Sequence, residues 1–355
     1  MLPLLAAFLA AQIGPIAPDA PAREPQMAVR GSTVALTFGA SNAIYFGISH
    51  DSGKTFSDPV KIAGAPVVPL TRHRGPRIAF AGATIVVTAV AGRTMAGGPH
   101  AHGLPSDGDL LAWRSTDEGK TWSKEIVIND VPGAPTEGLH ALASDGKGTL
   151  FAAWLDHRGD HGTKLYGAQS NDGGATWLKN VLIYQSPDGT ICECCHPSLA
   201  FDTSGEILVM WRNWLNGSRD MYLARSRVGG SFSKPEKLGI GTWKLNACPM
   251  DGGGIGISGG RVVTVWRREH DIFLDFAGET ETRIGTGVDA AIAADMKGVY
   301  VIWSTPSGLQ AIVAGRAELI DIAAKGAFPN IVLLSNGRAL AAWENDGEIT
   351  IREIP

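Results

Sequence analysis

Ser115-Thr116-Asp117-Glu118-Gly119-Lys120-Thr121-Trp122 decides the fold, because the same spelling stands at two other places in the chain. Ser49-His50-Asp51-Ser52-Gly53-Lys54-Thr55-Phe56 precedes it, and Ser170-Asn171-Asp172-Gly173-Gly174-Ala175-Thr176-Trp177 follows it. The pattern has a mechanical reading. The Asp carboxylate caps turn amides, glycine takes a backbone angle that other residues avoid, and the terminal aromatic ring anchors the turn in a core. Three copies in register mark a repeated structural unit.

Working outward from the third copy, small and apolar runs predict strands at 139–143, 149–154, 164–170 and 177–183, with the Asp turn between the third and the fourth. The Trp that ends the second strand recurs as Trp154, Trp211, Trp266, Trp303 and Trp343. First strands begin near Pro25, Pro76, Leu139, Pro197, Pro249, Ala290 and Pro329, which makes seven units. The fourth unit keeps a degenerate turn, Ser226-Arg227-Val228-Gly229-Gly230-Ser231-Phe232. The last, 328–355, has room for three strands, and an N-terminal strand at 12–17 would complete it. Four-stranded units repeated radially predict an all-β chain, a β-propeller of seven blades, or of six if an end unit is partial. No stretch has useful helical periodicity, and no linker divides residues 23–355, which read as one domain.

With 355 residues and 44% hydrophobic content, the chain can bury a large core. A net charge of -4 and a pI near 6.1 supply no basic field, which argues against nucleic acid or an anionic membrane surface as partner. No run of about 18 apolar residues follows the N-terminus, so no membrane span is expected. The short apolar run Leu2 to Ala11, then a Pro/Ala stretch through Ala22, predicts an export leader over 1–22 and a secreted or periplasmic protein. No Lys or Arg precedes that run, and a buried N-terminal segment is the other reading.

If the Asp turns lie at one face, the second-to-third-strand loops and the interblade loops emerge at the other. Those loops carry the unusual chemistry. Arg93 to Gly103 includes His100 and His102; Asp156-His157-Arg158-Gly159-Asp160-His161 follows; then come Arg212, Arg219, Arg267 and Glu269. Interblade loops add Arg72-His73-Arg74, Glu137 and Cys192-Glu193-Cys194-Cys195-His196-Pro197, and Cys248 precedes the fifth unit. Four cysteines in an exported chain allow two disulfides. The competing reading is a metal site, in which Cys192, Cys194, Cys195, His196 and Cys248, with His100, His102, His157 and His161 in reach of the same mouth, suit Cu(I) or Zn(II), and one disulfide plus a ligand pair is a mixed outcome.

The repeated turns are Asp boxes, and the chain resembles the sialidase superfamily of BNR-repeat propellers. That resemblance implies glycoside hydrolysis of the exo-sialidase type: an arginine cluster for the substrate carboxylate, an Asp acid, and a Tyr nucleophile activated by Glu. The family's Arg-Ile-Pro motif is matched loosely by Arg23-Glu24-Pro25, with Glu in place of Ile. Arg72, Arg74, Arg212 and Arg267 supply further guanidiniums, and Asp156, Asp160 and Glu269 are the available acids. Tyr184 is the one loop tyrosine, since Tyr45, Tyr166 and Tyr222 hold one packing slot in successive third strands and Tyr300 lies inside a second strand. The partner is then a glycan or small acidic sugar. A metal-binding propeller and a non-catalytic scaffold for a protein partner are the other readings.

Overall fold

The computed structural model describes residues 10–98, 103–159, 162–277, 279–313 and 318–354. His100, His102, Asp160 and His161 lie outside them. Among the described residues there is no helix, and seven four-stranded antiparallel sheets stand in a ring. Their inner strands are Arg23–Arg30, Arg77–Ala81, His140–Ser144, Ser198–Phe201, Gly253–Ser258, Val288–Ala294 and Ala327–Leu333. Each packs against the next and the last against the first. The chain is a seven-bladed β-propeller, and the six-bladed alternative is excluded.

Two boundaries differ from expectation. The fifth inner strand begins at Gly253 rather than near Pro249, because Met250 takes a left-handed backbone angle and the chain stays irregular through Asp251. The N-terminal strand is Ala11–Ile13, shorter than 12–17, since Pro15 cannot donate to a ladder. It pairs with Glu348–Ile354, Ala11 opposite Ile351, and so gives blade 7 its fourth strand. Ile13 and Ala22 are buried in the seam between blades 7 and 1.

Ala152-Ala153 before Trp154 and Ala341-Ala342 before Trp343 are fully buried and let neighbouring blades close over these rings. In blade 3 the strand Leu150–Asp156 is buried along its whole length, and Trp154, Trp211 and Trp303 have no exposed surface. Tyr45, Tyr166 and Tyr222 sit opposite Phe38, Trp154 and Trp211 in the ladders, the packing slot that their spacing predicted.

The Asp turns are three copies of one network. In the second, Asp117 accepts from the Thr121 amide at 2.9 Å and from its hydroxyl at 2.5 Å, while Ser115 Oγ accepts from the Gly119 amide at 2.8 Å. These bonds hold the carboxyl of Asp117 down at about 2. Gly119 (φ 85°) lies under the Phe46 ring of the preceding blade, where a Cβ would overlap it, and Trp122 meets that ring edge-on at 5.1 Å. Gly53 and Gly174 sit likewise against Leu340 and Val86, so each turn is a clasp on the blade before it.

Candidate functional site at the axial mouth

Antiparallel order puts the starts of the inner strands at the end opposite the Asp turns. There, Glu24, His73, Met250, Asp289 and Phe328 all have positive φ, between 50° and 68°. Glu24, Asp289 and Phe328 occupy the same bulge, where pairing slips between Arg23 and Gln26, Val288 and Ala291, and Ala327 and Asn330. Left-handed non-glycine residues cost about 1–3 kcal/mol each, and five at the starts of inner strands make this mouth the candidate site.

The bulges turn polar side chains toward the axis. His73, from the loop before blade 2, crosses to blade 6 and bonds Asp289 Oδ1 at 2.9 Å. Its ring lies 4.3 Å from that of His196 before blade 4 and 5.3 Å from Phe328 of blade 7. The His73 amide donates to Glu24 Oε1 at 2.9 Å, and the Glu24 amide donates to Glu344 Oε1 at 2.8 Å. Asp251, fully enclosed, accepts from the Asp289 amide at 3.1 Å. One ligand atom each from His73, Asp251 and Asp289 lies within 4.8 Å of the other two. Below them runs an axial cavity of about 210 Å³ lined by Gln26, Arg77, Ser198 and Asn330.

Burial sets the electrostatics. It pushes Glu24 up to about 7, with the charge of Glu344 adding to it. Glu344 and Asp251 are raised for the same first reason, Asp251 further by Asp289. Burial pulls His73 down, but the hydrogen bond and charge of Asp289, with Glu24 and Asp251, outweigh it and raise its pKa. His196 is driven well below the ordinary imidazole range by burial and by the positive His73 and Arg77.

Beside this cluster, a recess of about 350 Å³ opens between blades 7 and 1, lined by Arg23, Lys325, Glu344 and Asp346. Glu344 forms part of its wall, Arg23 lies 3.5 Å from the Glu344 carboxylate, and Lys325 pairs with Asp346 at 3.3 Å. A larger cleft of about 720 Å³ between blades 1 and 2, with Arg93, Asp107 and Trp113 in its wall, lies among outer strands away from the axis.

Of the arginines expected to gather, Arg212 and Arg267 meet at Asp251 and the Trp243 ring, whereas Arg23 lies at Glu344 and Arg74 at Glu137. Arg212 is buried with its guanidinium donating to the carbonyls of Asp251 (3.0 Å), Arg219 (2.8 Å) and Arg267 (2.9 Å). Arg267 donates to the Glu269 carbonyl at 2.6 Å and lies 3.7 Å from Asp251, while Glu269 itself is an exposed turn residue. Arg74 is buried against Glu137 at 3.0 Å, and Arg72 is exposed. Asp156 is enclosed and accepts from Trp154 and Arg158. The Tyr184 hydroxyl accepts from Asn213 at 3.0 Å, its ring 4.9 Å from Trp211.

Cys192, Cys194 and Cys195 come together, buried, with sulfurs 3.7 Å (Cys192 to Cys194) and 3.3 Å (Cys192 to Cys195) apart. All four cysteines are free thiols, so the two-disulfide reading does not describe this structure. Cys248 is exposed and outside the triad, contrary to the expectation that all four would meet, because the irregular 248–252 segment holds it at the surface. His157 turns away to Glu137 (3.7 Å). Arg219 donates to Cys192 Sγ at 2.9 Å. Burial acts to raise Cys192, but hydrogen bonds from the other two thiols and the charges of Arg219 and Arg212 prevail and lower it, leaving Cys194 and Cys195 raised.

No family model and no curated protein sequence matches the chain. Solved structures share the ring. An alpha-L-arabinanase of Penicillium chrysogenum complexed with arabinobiose is 14% identical, with 98% of this chain and 97% of that one covered and a TM-score of 0.57. An ulvan lyase is 11% identical over 96% of this chain and 95% of its own, TM-score 0.58. The Hadza microbial sialidase Hz136 is 16% identical over 90% and 75%, TM-score 0.52. At such identities the likeness is one of fold. The signal that sequence reading missed is Glu24: it stands out as the departure from Arg-Ile-Pro, and it is the residue the fold encloses.

Proposed function

We propose that this propeller binds and cleaves an acidic glycan, in the manner of a sialidase-like glycoside hydrolase, in the recess between blades 7 and 1. One observation carries the reading. Glu344 is a carboxyl raised above its ordinary range, and it lines a recess of about 350 Å³ that also holds Arg23 and Lys325. A carboxyl raised by burial holds its proton more firmly than an exposed one, which suits it to protonate a glycosidic leaving oxygen. Arg23 and Lys325 offer guanidinium and ammonium donors to a sugar carboxylate. Glu24 and His73 stand behind as positioning residues, Glu24 through the hydrogen bond that its backbone N–H donates to the Glu344 carboxylate. Arg212 and Arg267 serve the mouth by fixing its backbone. The neighbours named for arabinan, ulvan and sialic acid chemistry support the glycan class.

Export belongs to the same reading, supported by the apolar run Leu2 to Ala11. Cleavage after Ala22 would remove Ala11–Ile13, the outer strand of blade 7. N-terminal mapping of the protein tests the leader, and an intact N-terminus on the exported protein would refute it.

The activity test is a panel of sialosides, uronosides and arabino-oligosaccharides against the wild type, Glu344→Gln and Arg23→Ala/Lys325→Ala. Glu344→Gln should abolish turnover while leaving binding intact, and the double variant should weaken acidic ligands selectively. Absence of both binding and turnover across the panel, or full activity in Glu344→Gln, sinks the proposal.

A further inference from the structure

We propose that Cys192, Cys194 and Cys195 form a three-sulfur site for a soft, thiophilic cation of the Cu(I) class, separate from the glycan recess. The segment that bears them is fixed at several points. Ser186 donates to the Trp214 carbonyl at 2.6 Å, the Ile191 amide to Thr163 at 3.0 Å and the Cys192 amide to Arg212 at 3.2 Å. The sulfurs are therefore held in place from blades 3 and 4. All three lie within 4.8 Å of one another. A cation about 2.3 Å from each of three coplanar sulfurs would set them about 4.0 Å apart, inside that span. The Cys192–Cys195 separation, 3.3 Å, is far beyond the bonding distance of about 2.05 Å. A disulfide would use two of the sulfurs and strand the third in an apolar pocket.

The ligand set selects the metal. Among the described residues it holds sulfur only, with the Met250 side chain packed against it and no carboxylate or imidazole in the group. Thiolate and thioether ligands favour Cu(I), whereas structural zinc takes four ligands in a tetrahedron. Three thiolates around a monovalent ion leave negative charge, and the structure supplies counter-charge: the Arg219 guanidinium lies on Cys192 Sγ at 2.9 Å, fixed by the Leu245 carbonyl and the Trp214 ring. Arg212 packs behind it, donating to the Arg219 carbonyl. An arginine aimed at a buried sulfur is the second half of a metal–thiolate site.

The test is anaerobic titration of the fully reduced protein with Cu(I) against a colorimetric Cu(I) chelator, followed by X-ray absorption of the loaded wild type. One ion per chain is expected, bound through sulfur alone, with Zn(II) held far more weakly. Cys195→Ser and Cys192→Ser should each lose at least 100-fold in affinity, Arg219→Met about 10-fold, and Cys248→Ser nothing. No capture of Cu(I) from the chelator by the reduced wild type overturns the proposal, as do nitrogen or oxygen ligands in the absorption spectrum, or equal binding by Cys195→Ser and Cys248→Ser. If the triad variants fail to fold, the wild-type stoichiometry and ligand identity decide it unaided.

Discussion

Replacing Glu24 with Gln should stabilise the protein, and only at neutral and alkaline pH. In the folded chain Glu24 titrates at about 7 against an ordinary 4.5, chiefly because it is enclosed. A raised carboxyl pKa means that the folded state holds the proton more tightly than the unfolded state, so stability falls as pH rises from about 4.5 to about 7 and is constant beyond. The shift corresponds to about 3 kcal/mol at 1.36 kcal/mol per pH unit. Gln has the shape of the protonated acid and keeps the oxygen that accepts the His73 amide at 2.9 Å. Denaturant midpoints of wild type and Glu24→Gln should therefore coincide at about pH 4 and diverge by up to about 3 kcal/mol, in favour of the variant, at about pH 8. A difference independent of pH, or a variant weaker than wild type at the higher pH, would refute the placement of a protonated Glu24 at the axis.

Other perturbations have outcomes of equal definiteness. Gly119→Ala forces a Cβ into the Phe46 ring from a left-handed backbone and should cost about 1–3 kcal/mol, whereas Gly47→Ala, whose nearest neighbour would be 3.6 Å away, should be close to neutral in the same thermal melts. Asp117→Ala should lower the denaturation midpoint at neutral pH, and the deficit should shrink as pH falls from the ordinary 3.8 toward about 2, because a depressed carboxyl stabilises only while ionised. Arg212→Met leaves the carbonyls of Asp251, Arg219 and Arg267 without their donor and should cost at least about 3 kcal/mol in urea unfolding. Deleting residues 1–22 should leave the edge of blade 7 bare and produce a self-associating protein in size-exclusion chromatography, while deleting 1–9 should not.

The fold was legible because its determinants are local. Each Asp turn is eight residues long and carries its own hydrogen-bond network, and each middle-strand Trp marks its blade without reference to the others. The axial cluster was not legible for the converse reason. Glu24, His73, Asp251, Asp289 and Glu344 come from five blades or the loops that lead into them, and no spacing connects them until the ring has closed. The cysteines fall between. Adjacency in the chain foretold the meeting of Cys192, Cys194 and Cys195, but Cys248 was assigned to them by analogy of position, and the four irregular residues before Gly253 carry it outward. The arginines misled for a physical reason: a guanidinium after a middle-strand Trp is as useful to backbone carbonyls as to a substrate carboxylate, and Arg212 answers the former.

The pairing of Ala11–Ile13 with Glu348–Ile354 also dictates an order of assembly. Nearly every other ladder joins strands that are neighbours in sequence, so blades 1 to 6 can form as the chain is made, whereas this one joins residues about 340 positions apart. Bringing the ends of so long a flexible loop together would cost about 5 kcal/mol in chain entropy. Prior stacking of six blades removes most of that cost by bringing the first and last blades side by side. Ring closure is thus the step with the highest contact order and is expected to come last. Until Glu348–Ile354 has emerged, Ala11–Ile13 waits unpaired.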